Sequence, residues 1–332
     1  MHKKPIALVT GGAGFIGSHM VDKLLDNNFH VRIIDDFTGG TIDNINHHKK
    51  NSDLDVYKKD ITKLDENDPF FKDLSYVFHF AGKGDIVPSI ENPETYMNIN
   101  VQGTVKILEN CRQSQLSKFI YAASSSCYGL ASVPTKENHP ISPEYPYALS
   151  KYLGELSVMH WGKVYKMPIN SIRIFNAYGI RAKTTAVYGA VFGVFFKQKL
   201  AKKAFTVVGD GSQSRDFLYV TDVTNAFFSL SQSIFVNKIY NLGAGNPKSI
   251  NDIINIIGGN IIYIPKRPGE PDCTFADITK ISNDLKWKPL ISLEKGIRLM
   301  LNEIDRWENA PLWDVKKINE ATKTWFKYMK QS

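Results

Sequence analysis

Three glycines near the N-terminus constrain the fold of this chain more than any other feature of its sequence. Gly11, Gly14 and Gly17 lie between an apolar run at residues 6–9 and a segment in which apolar residues recur at helical spacing. A second apolar run follows at residues 31–34. A strand, a helix and a strand within about 30 residues form a βαβ unit, which requires parallel strands. The sequence therefore predicts a parallel sheet from its first unit onward.

Strand and helix patterns continue to alternate as far as residue 178. Long helices are predicted at 93–112 and 146–165, and further strands at 55–58, 76–80, 118–122 and 169–175. This alternation predicts an α/β fold with a doubly wound parallel Rossmann sheet over residues 1–178. Glycine and proline turns then become frequent, so we expect a smaller C-terminal α/β domain over 179–332. Segments near 221–242 are expected to return to the first domain.

The composition is that of an ordered globular chain and excludes several classes of protein. Of the 332 residues, 43% are hydrophobic and 22% are charged, which excludes a disordered protein. The longest apolar stretch, residues 186–196, is shorter than the ~18 residues of a membrane-spanning helix. The net charge of +8 is dispersed along the chain. We therefore expect neither nucleic acid nor a membrane as a partner.

Cysteines and histidines give no sign of a metal centre. Cys111, Cys127 and Cys273 are widely spaced and odd in number, so they predict neither a disulfide framework nor a metal site. Among the histidines, the adjacent pair His47 and His48 belongs to no metal-binding motif. Free thiols are typical of a reducing compartment, and we expect a cytoplasmic protein without a metal.

An acidic residue after the second predicted strand makes the glycine loop a candidate dinucleotide site. In such loops the first glycine allows a tight turn, the second admits a pyrophosphate, and the third lets helix and strand pack closely. Asp35 follows Gly17 by 18 residues, where a carboxylate accepts hydrogen bonds from a ribose diol. Because this charge repels the 2′-phosphate of NADP, NAD is the expected cofactor. Asp60 and Ile61 are a candidate adenine contact or, equally well, an ordinary turn at a strand end.

A tyrosine and a lysine four residues apart provide a candidate catalytic base. Tyr147 and Lys151 lie in the predicted helix at 146–165, and this spacing places both side chains on one face. A neighbouring ammonium favours the phenolate, so we expect a lowered tyrosine pKa and a general base that can deprotonate a hydroxyl. Taken alone, the same spacing is more often found in a pair of ordinary surface residues.

Serines follow the predicted strand at 118–122 and lie close to this pair in the expected fold. Ser124, Ser125 and Ser126 fall at the carboxyl end of that strand, which is the edge of a sheet where ligands bind in α/β proteins. A serine there can hydrogen bond to a substrate hydroxyl and relay its proton to the tyrosine. An ordinary serine-rich turn is the alternative explanation.

These segments, together with others, give the chain a resemblance to a known family. It resembles the extended short-chain dehydrogenases/reductases and, within them, the nucleotide-sugar epimerases typified by UDP-galactose 4-epimerase. The resemblance covers nearly the whole chain and rests on the following segments: TGGAGFIGSH (10–19), HFAG (79–82), SIENP (89–93), YMNINVQGT (96–104), ASSSCYG (123–129), YPYALSKYLGE (145–155), RIFNAYG (173–179), VVGDGSQSRDF (207–217), YNLGAG (240–245), RPGEP (267–271) and LKWKP (285–289).

The resemblance implies a role for each matching residue. It makes Tyr147 the base, Lys151 its partner and Ser124 the catalytic hydroxyl. The expected cofactor-binding residues are Gly11, Gly14, Phe15, Ile16, Gly17, Asp35, Asp36, Asp60, Ile61, Phe80, Ala81, Lys83, Asn100, Tyr147, Lys151 and Phe175. The expected substrate-binding residues are Ser124, Ser125, Ser126, Asn176, Val208, Arg215, Arg267, Glu270 and Thr274. Guanidinium groups in this set suit a diphosphate, because they form charge-assisted hydrogen bonds in a planar fork.

The implied reaction is the NAD-dependent epimerisation of a nucleotide sugar at C4, with a UDP-hexose or a UDP-2-acetamidohexose as substrate and a 4-keto intermediate. A 4,6-dehydratase or a related 4-keto-forming enzyme is the alternative. Dehydratases of the family carry acidic residues where this chain has Ser125 and Ser126, which favours simple epimerisation. A sensor or scaffold on the same fold would be expected to lack Tyr147 or Lys151. The segment at 83–88 departs from the galactose epimerase pattern and leaves the sugar open.

The resemblance also predicts a feature of the sugar pocket and an oligomeric state. The family position that faces the sugar C2 substituent is Thr274, which is small enough to leave space for an acetamido group unless Phe275 fills it. The helices predicted at 93–112 and 146–165 are expected to pair with those of a second copy in a homodimer.

Overall fold

The computed structural model describes residues 4–65, 68–183, 191–266 and 270–329. Its strands are β1 (Ile6–Thr10), β2 (His30–Asp35), β3 (Leu54–Lys58), β4 (Tyr76–His79), β5 (Lys118–Ser124), β6 (Ile169–Ile174), β7 (Asn176–Tyr178), β8 (Phe205–Val208), β9 (Ser214–Arg215), β10 (Phe217–Tyr219), β11 (Lys238–Leu242), β12 (Lys248–Ser249) and β13 (Ile261–Ile264). Its α-helices are α1 (Phe15–Leu25), α2 (Ile86–Glu91), α3 (Pro93–Met97), α4 (Thr104–Cys111), α5 (Pro146–Tyr165), α6 (Val191–Leu200), α7 (Val220–Ser231), α8 (Ile250–Ile257), α9 (Thr279–Leu285), α10 (Leu293–Leu301), α11 (Val315–Ala321) and α12 (Lys323–Tyr328).

Seven parallel strands form the central sheet, in the order β11-β6-β5-β4-β1-β2-β3. The chain leaves β1 toward β2 and β3 on one side, and later adds β4, β5 and β6 on the other. The strand order therefore reverses between β1 and β4, which is where open α/β sheets bind their ligands. The predicted doubly wound α/β sheet is confirmed.

Helices cover both faces of this sheet. Helices α1 and α7 pack together on one face, over apolar side chains such as Val9 and Phe227. Helices α4 and α5 pack on the other face, where Leu108 and Val158 belong to a second buried cluster. Every residue of β1, β5 and β6 is buried. Burial on both faces explains the apolar run in β1 and the mostly apolar sequence of β5. In β6, which is buried as well, Asn170, Ser171 and Arg173 are polar.

Two elements beyond residue 178 join the layers of the central sheet. Helix α7 packs on α1, and β11 pairs in parallel with β6 at the sheet edge, with Leu242 opposite Ile174. The remaining C-terminal elements gather around a separate apolar cluster that includes Phe205, Ile254 and Met300. The division of the chain at residue 178 stays a prediction. In the described part of the chain, no helix combines the length and apolar character needed to cross a membrane.

The helix predicted over 93–112 is present, but it is not α-helical throughout. A π-helical segment, Asn98–Gly103, separates α3 from α4. The interruption turns the buried Asn100 side chain toward the loop after β4 and toward α5, where its amide group contacts the Lys83 backbone and the Ser150 hydroxyl. Single π turns inside α-helices are frequent at functional sites, because the extra residue redirects a side chain.

Candidate active site

The glycine loop is held by direct backbone contact on two sides. Gly11 has φ +67°, and a β-carbon there would lie 2.9 Å from the Ala81 nitrogen at the end of β4. A β-carbon on Gly17 would lie 2.1 Å from the Gly11 carbonyl oxygen. Gly14 precedes the first residue of α1, and Phe15 and Ile16 contact the C-terminal apolar cluster. The loop thus presents the N-terminus of α1 at the switch point of the sheet, where its amide groups favour an anion.

Asp35 ends β2 beside this loop and is buried. One carboxylate oxygen accepts from the Ala13 nitrogen at 2.9 Å, and the other accepts from the Phe37 nitrogen at 2.8 Å. Burial raises the Asp35 pKa, and these two hydrogen bonds oppose the increase. Asp36 instead folds back on Thr38, accepting from its backbone nitrogen and hydroxyl. Asp35 is thus the acid fixed against the loop.

Asp60 and Ile61 make the contacts of a capped turn. An Asp60 oxygen accepts from the Thr62 nitrogen at 2.9 Å and the Thr62 hydroxyl at 2.8 Å. The buried Ile61 side chain packs where a β-carbon of Gly103 would lie, 2.6 Å away. Both residues follow β3 at the carboxyl edge of the sheet, and their adenine-binding role stays a prediction.

The segment after β4 is tied to the helices beside it. The Phe80 ring packs against Phe227 of α7, with centroids 4.8 Å apart, and the Ala81 nitrogen donates to the Thr10 hydroxyl at 3.2 Å. The Lys83 nitrogen donates to the Asn100 side chain at 2.8 Å. The predicted residues Phe80, Ala81, Lys83 and Asn100 therefore form one connected group between the glycine loop and α5.

The candidate catalytic residues converge at the ends of β5 and α5. His79, the last residue of β4, pairs with Tyr121, so β5 extends three residues further and carries Ser124 beyond its neighbour. A hydrogen bond links the Ser124 and Tyr147 side chains. Lys151 lies one helical turn after Tyr147, is buried, and holds its Nζ atom 4.4 Å from the centroid of the Tyr121 ring. The structure thus assembles a hydroxyl, a phenol and a buried amine.

The expected lowering of the Tyr147 pKa was wrong in direction. Burial raises the Tyr147 pKa; the hydrogen bond with Ser124 opposes the increase, and the Asp85 carboxylate adds to it. The sequence argument treated Lys151 as a fully charged neighbour, but burial lowers the pKa of Lys151 from 10.5 to about 7. A desolvated amine of this kind is only partly protonated at neutral pH and stabilises a phenolate less than an exposed ammonium does.

Tyr145 is a site residue that the sequence argument missed. Its ring stacks beside that of Tyr147, with centroids 6.4 Å apart and planes 8° apart, and its hydroxyl is hydrogen bonded to Ser126. Burial raises the pKa of Tyr145; the charge of Glu270 adds to this increase, and the charge of Arg215 opposes it. Ser126, Arg215 and Glu270 are thereby brought to one place. The signal was the first tyrosine of the YPY segment at 145–147.

The remaining predicted substrate residues lie on short strands and on the turns and loops beside them. The Thr274 hydroxyl donates to the Asn176 side chain at 2.7 Å and accepts from the Asp216 nitrogen at 3.3 Å. Phe175 follows β6 and is buried against Tyr128. Val208 ends β8 and is half-buried, and Ser125 opens a 3₁₀ turn directly after Ser124. Arg267 lies outside the described residues.

Asp216 was also missed, although it fixes the segments that carry several of these residues. It is buried, and its two oxygens accept from the backbone nitrogens of Ala244, Gly245, Asn246 and Ala276. One carboxylate thus joins β9 to the turn after β11 and to the loop that carries Thr274. The RDF triplet in the quoted segment 207–217 was the available signal.

A cluster of donors lies on the outer side of α1, away from this constellation. Nε2 atoms of His47 and His48 each lie 2.9 Å from the same Asp22 oxygen, and the three side chains are close enough together to hold a metal ion. The other Asp22 oxygen lies 2.8 Å from an Arg181 nitrogen. Because the guanidinium already balances the carboxylate, these contacts are those of a surface ion-pair cluster.

A family model described as GDP-mannose 4,6-dehydratase matches residues 8–300 of the chain. The chain belongs to this family of extended short-chain dehydrogenases/reductases. A protein of Methanocaldococcus jannaschii, provisionally named a UDP-glucose 4-epimerase, is 40% identical over 303 residues, covering 89% of this chain and 97% of that relative.

Two solved structures of the family are similar over nearly their whole length. One is a UDP-glucuronic acid 4-epimerase from Bacillus cereus in complex with UDP-glucuronic acid and NAD. It is 32% identical with a TM-score of 0.85, covering 91% of this chain and 99% of that one. The other is a UDP-N-acetylglucosamine 4-epimerase from Methanobrevibacter ruminantium in complex with UDP-N-acetylmuramic acid. It is 30% identical with a TM-score of 0.84, covering 91% of this chain and all of that one.

Gly17→Ala is expected to destabilise the protein by about 2 kcal/mol or more, because the new methyl group meets backbone that cannot move away. Its β-carbon would lie 2.1 Å from the Gly11 carbonyl oxygen. The control is Gly39→Ala, where nothing lies within 4 Å of the added carbon. Urea unfolding measures both, and equal stabilities of the two variants would contradict the packing role of Gly17.

Proposed function

We propose that the protein is an NAD-dependent 4-epimerase of a nucleotide sugar, with a UDP-hexose or a UDP-2-acetamidohexose as substrate. The observation that carries this proposal is the Ser124–Tyr147 hydrogen bond beside the buried Lys151, at the sheet edge that also holds the glycine loop. A phenol hydrogen bonded to a hydroxyl and followed one turn later by an amine suits proton removal from a sugar alcohol. The similar proteins of known structure are named as UDP-sugar 4-epimerases.

The glycine loop and its surroundings fit a dinucleotide. Gly14 has one atom near its missing β-carbon, the Gly11 oxygen at 3.1 Å, so the backbone in front of α1 is open to a close ligand. Asp35 keeps lone pairs free beside its two backbone contacts and would hold the adenosine ribose. Lys151 would hold the ribose at the other end of the cofactor. NAD, when bound, supplies the capacity to accept a hydride and return it.

Tyr147 and Ser124 would move the proton of the sugar 4-hydroxyl. Ser124 bridges the sugar hydroxyl and the phenol oxygen, and Tyr147 takes the proton as C4 is oxidised to the ketone. As the 4-keto sugar is reduced again from its other face, Tyr147 gives the proton back to the 4-oxygen. Lys151, when it is protonated, stabilises the phenolate form of Tyr147 that takes up the proton and that re-forms when the proton is returned. Arg215 would bind the diphosphate through charge-assisted hydrogen bonds.

The 4,6-dehydratase alternative needs an acid and a base beside C5 and C6 of the sugar. Ser125 and Ser126 stand where dehydratases of the family carry acids, and a hydroxyl is a poor substitute. We therefore favour epimerisation. The two activities separate in heavy water, because a dehydratase incorporates deuterium at C5 and a 4-epimerase does not.

Tyr147→Phe is expected to lower turnover by about 10²–10⁴-fold, the usual effect of removing a general base. NAD should remain bound, since the substitution removes one oxygen atom. Turnover is measured by NMR on a panel of UDP-sugars, with Tyr328→Phe, an exposed tyrosine of α12, as the control. Near-normal turnover of Tyr147→Phe would exclude this residue as the base.

Asp35→Asn is expected to weaken NAD binding and to narrow the preference over NADP by about tenfold or more, equivalent to ~1.4 kcal/mol. The amide removes the charge that repels a 2′-phosphate and retains an acceptor oxygen for one of the two backbone contacts. Calorimetric affinities for both cofactors test this, with Asp43→Asn, an exposed acid a few residues later, as the control. Equal affinities of the wild type for both cofactors would place the selecting group elsewhere.

Thr274→Tyr is expected to abolish turnover of UDP-N-acetylglucosamine while sparing any activity on plain UDP-hexoses. The reason is steric, since tyrosine would occupy the space that an acetamido group needs. Thr274→Val is the matched control, because it breaks the hydrogen bond to Asn176 without adding bulk. If the tyrosine variant keeps its turnover of acetamido sugars, this position does not limit the pocket.

We infer that α5 forms a homodimer interface together with α3 and α4. Leu149, Leu156 and Val164 are exposed along α5, at 38%, 46% and 49%. Their spacing of seven and eight residues places them in one stripe on the outer face of the helix. Leu156→Glu should convert a dimer into a monomer in light scattering at micromolar concentration, whereas a monomeric wild type would contradict the inference.

A cytoplasmic location completes the proposal. It is supported by the three free cysteines, two of which, Cys111 and Cys127, are buried. Free thiols of this kind persist in a reducing compartment.

A further inference from the structure

Glu155 is a buried acid of α5 that the mechanism above does not use. It lies one helical turn after Lys151 and is 1% exposed. The turn of the helix places both side chains on the face of α5 that packs against the central sheet. A buried carboxylate is costly unless it is ionised against a partner or fully hydrogen bonded, so its surroundings indicate its charge state.

Strand β6 supplies those partners. Ser171 and Arg173 lie two residues apart and therefore point to the same face of the sheet. Arg173 Nη2 lies 2.5 Å from one Glu155 oxygen, its Nε atom contacts both oxygens at 3.0 and 3.1 Å, and the Ser171 hydroxyl donates at 2.8 Å. These contacts fix Glu155 as an ionised carboxylate that cannot rotate away.

Arg173 is in turn held by the core around the end of β5. Its Nη1 atom donates to the Tyr128 hydroxyl at 2.7 Å and to the Glu137 carbonyl oxygen at 3.1 Å. The Tyr128 hydroxyl donates to the Asn241 side chain at 2.7 Å. The Glu155–Arg173 ion pair is therefore rigid, and its negative charge lies on α5.

Burial drives the other ionisable groups around Lys151 toward their neutral forms. Burial lowers the pKa of His79 on β4 to about 3, and burial raises the pKa of Tyr121 on β5 well above 10. Burial also raises the pKa of Tyr147. Burial lowers the pKa of Lys151 itself, and the Glu155 charge opposes that effect. Glu155 is thus the negative charge that favours the ammonium form.

We propose that Glu155 is a positioning residue for Lys151: its fixed carboxylate keeps the lysine protonated at the catalytic site. The inference rests on the proposed function for its catalytic meaning, since a charged Lys151 is what stabilises the phenolate of Tyr147. The electrostatic part concerns Lys151 alone and is measurable without a substrate.

The direct test is the titration of Lys151 in the full-length protein. Lysine labelled with ¹³C at Cε reports protonation through its chemical shift, and Lys151→Arg assigns the resonance. Glu155→Gln is expected to lower the titration midpoint by about one pH unit, as removal of a nearby charge in a partly polar interior predicts. Glu155→Asp should keep the midpoint near that of the wild type. An unchanged midpoint in Glu155→Gln would overturn the proposal.

Ser171→Ala is the matched control. It removes one hydrogen bond from Glu155 and leaves both charges in place. A structural role for Glu155 would make both variants alter stability without altering the titration, whereas the proposal expects the midpoint to move in Glu155→Gln alone. If Glu155→Gln fails to fold because Arg173 is left unpaired, Glu155→Gln with Arg173→Gln removes both charges. The double variant is then expected to lower the Lys151 titration midpoint by less than Glu155→Gln alone would. An unchanged midpoint in the double variant would overturn the proposal.

Activity gives the second readout. Because the ammonium form of Lys151 is needed, kcat should fall as the pH rises through the Lys151 titration midpoint. Glu155→Gln should shift this alkaline limb of the kcat profile to lower pH, by as much as it lowers the midpoint. A shifted midpoint in a protein that epimerises no UDP-sugar would reject the proposed function and leave the role of Glu155 intact. If the alkaline limb of the kcat profile shifts in Glu155→Gln while the Lys151 titration midpoint stays unchanged, that role of Glu155 is overturned.

Discussion

Backbone contact between the first turn of α1 and the ends of β1 and β4 is the constraint on which the rest of the structure depends. The Gly11 nitrogen donates to the Ile34 carbonyl at 2.8 Å, which locks the loop to β2. On the other side, the buried His79 links Thr10 of β1 to Thr104 of α4 through hydrogen bonds of 2.6 and 2.9 Å. A larger residue at Gly11 or Gly17 would separate these elements and open the crevice in which the candidate site lies.

Burial governs the electrostatics of that site more than pairing of charges does. Desolvation raises the pKa of Tyr147 and Asp35 and lowers that of Lys151, so every one of these groups is pushed toward its neutral form. Fixed hydrogen bonds and fixed charges then restore part of the charged form. Tyr147, Asp35 and Lys151 therefore lie at the sheet edge with their charged forms disfavoured, and a single nearby charge can change their protonation state.

The fold could be predicted from the sequence because its signals are local. Apolar runs bounded by turns predicted the strands of the first half, and the glycine spacing predicted the first crossover. The π segment at Asn98–Gly103 could not be predicted, because it depends on side-chain contacts of Asn100 with Lys83 and Ser150, far away along the chain. Local propensity carries no information about such a contact.

The candidate site, like the fold, could be predicted in part from the sequence. Residue types and spacing identified Tyr147 and Lys151, and the resemblance added Ser124. The direction of the Tyr147 pKa was missed because sequence spacing reports a neighbour but not its solvation. Tyr145 and Asp216 were missed because their roles are defined by partners: Ser126 for Tyr145, and four backbone nitrogens for Asp216.

The proposed proton-transfer residues and the proposed sugar-contacting residues lie in different parts of the molecule. Ser124, Tyr147 and Lys151 lie on β5 and α5, whereas Asn176 and Thr274 lie on short segments outside the central sheet, where one hydrogen bond links their side chains. Asp85, in the loop that departs from the galactose epimerase pattern, lies 3.7 Å from Lys183 and acts on the Tyr147 pKa. Substitutions in these peripheral segments can alter which sugar fits while the proton-transfer groups stay in place. Relatives similar to this chain are named for glucose, glucuronate and N-acetylglucosamine substrates, as such a separation would permit.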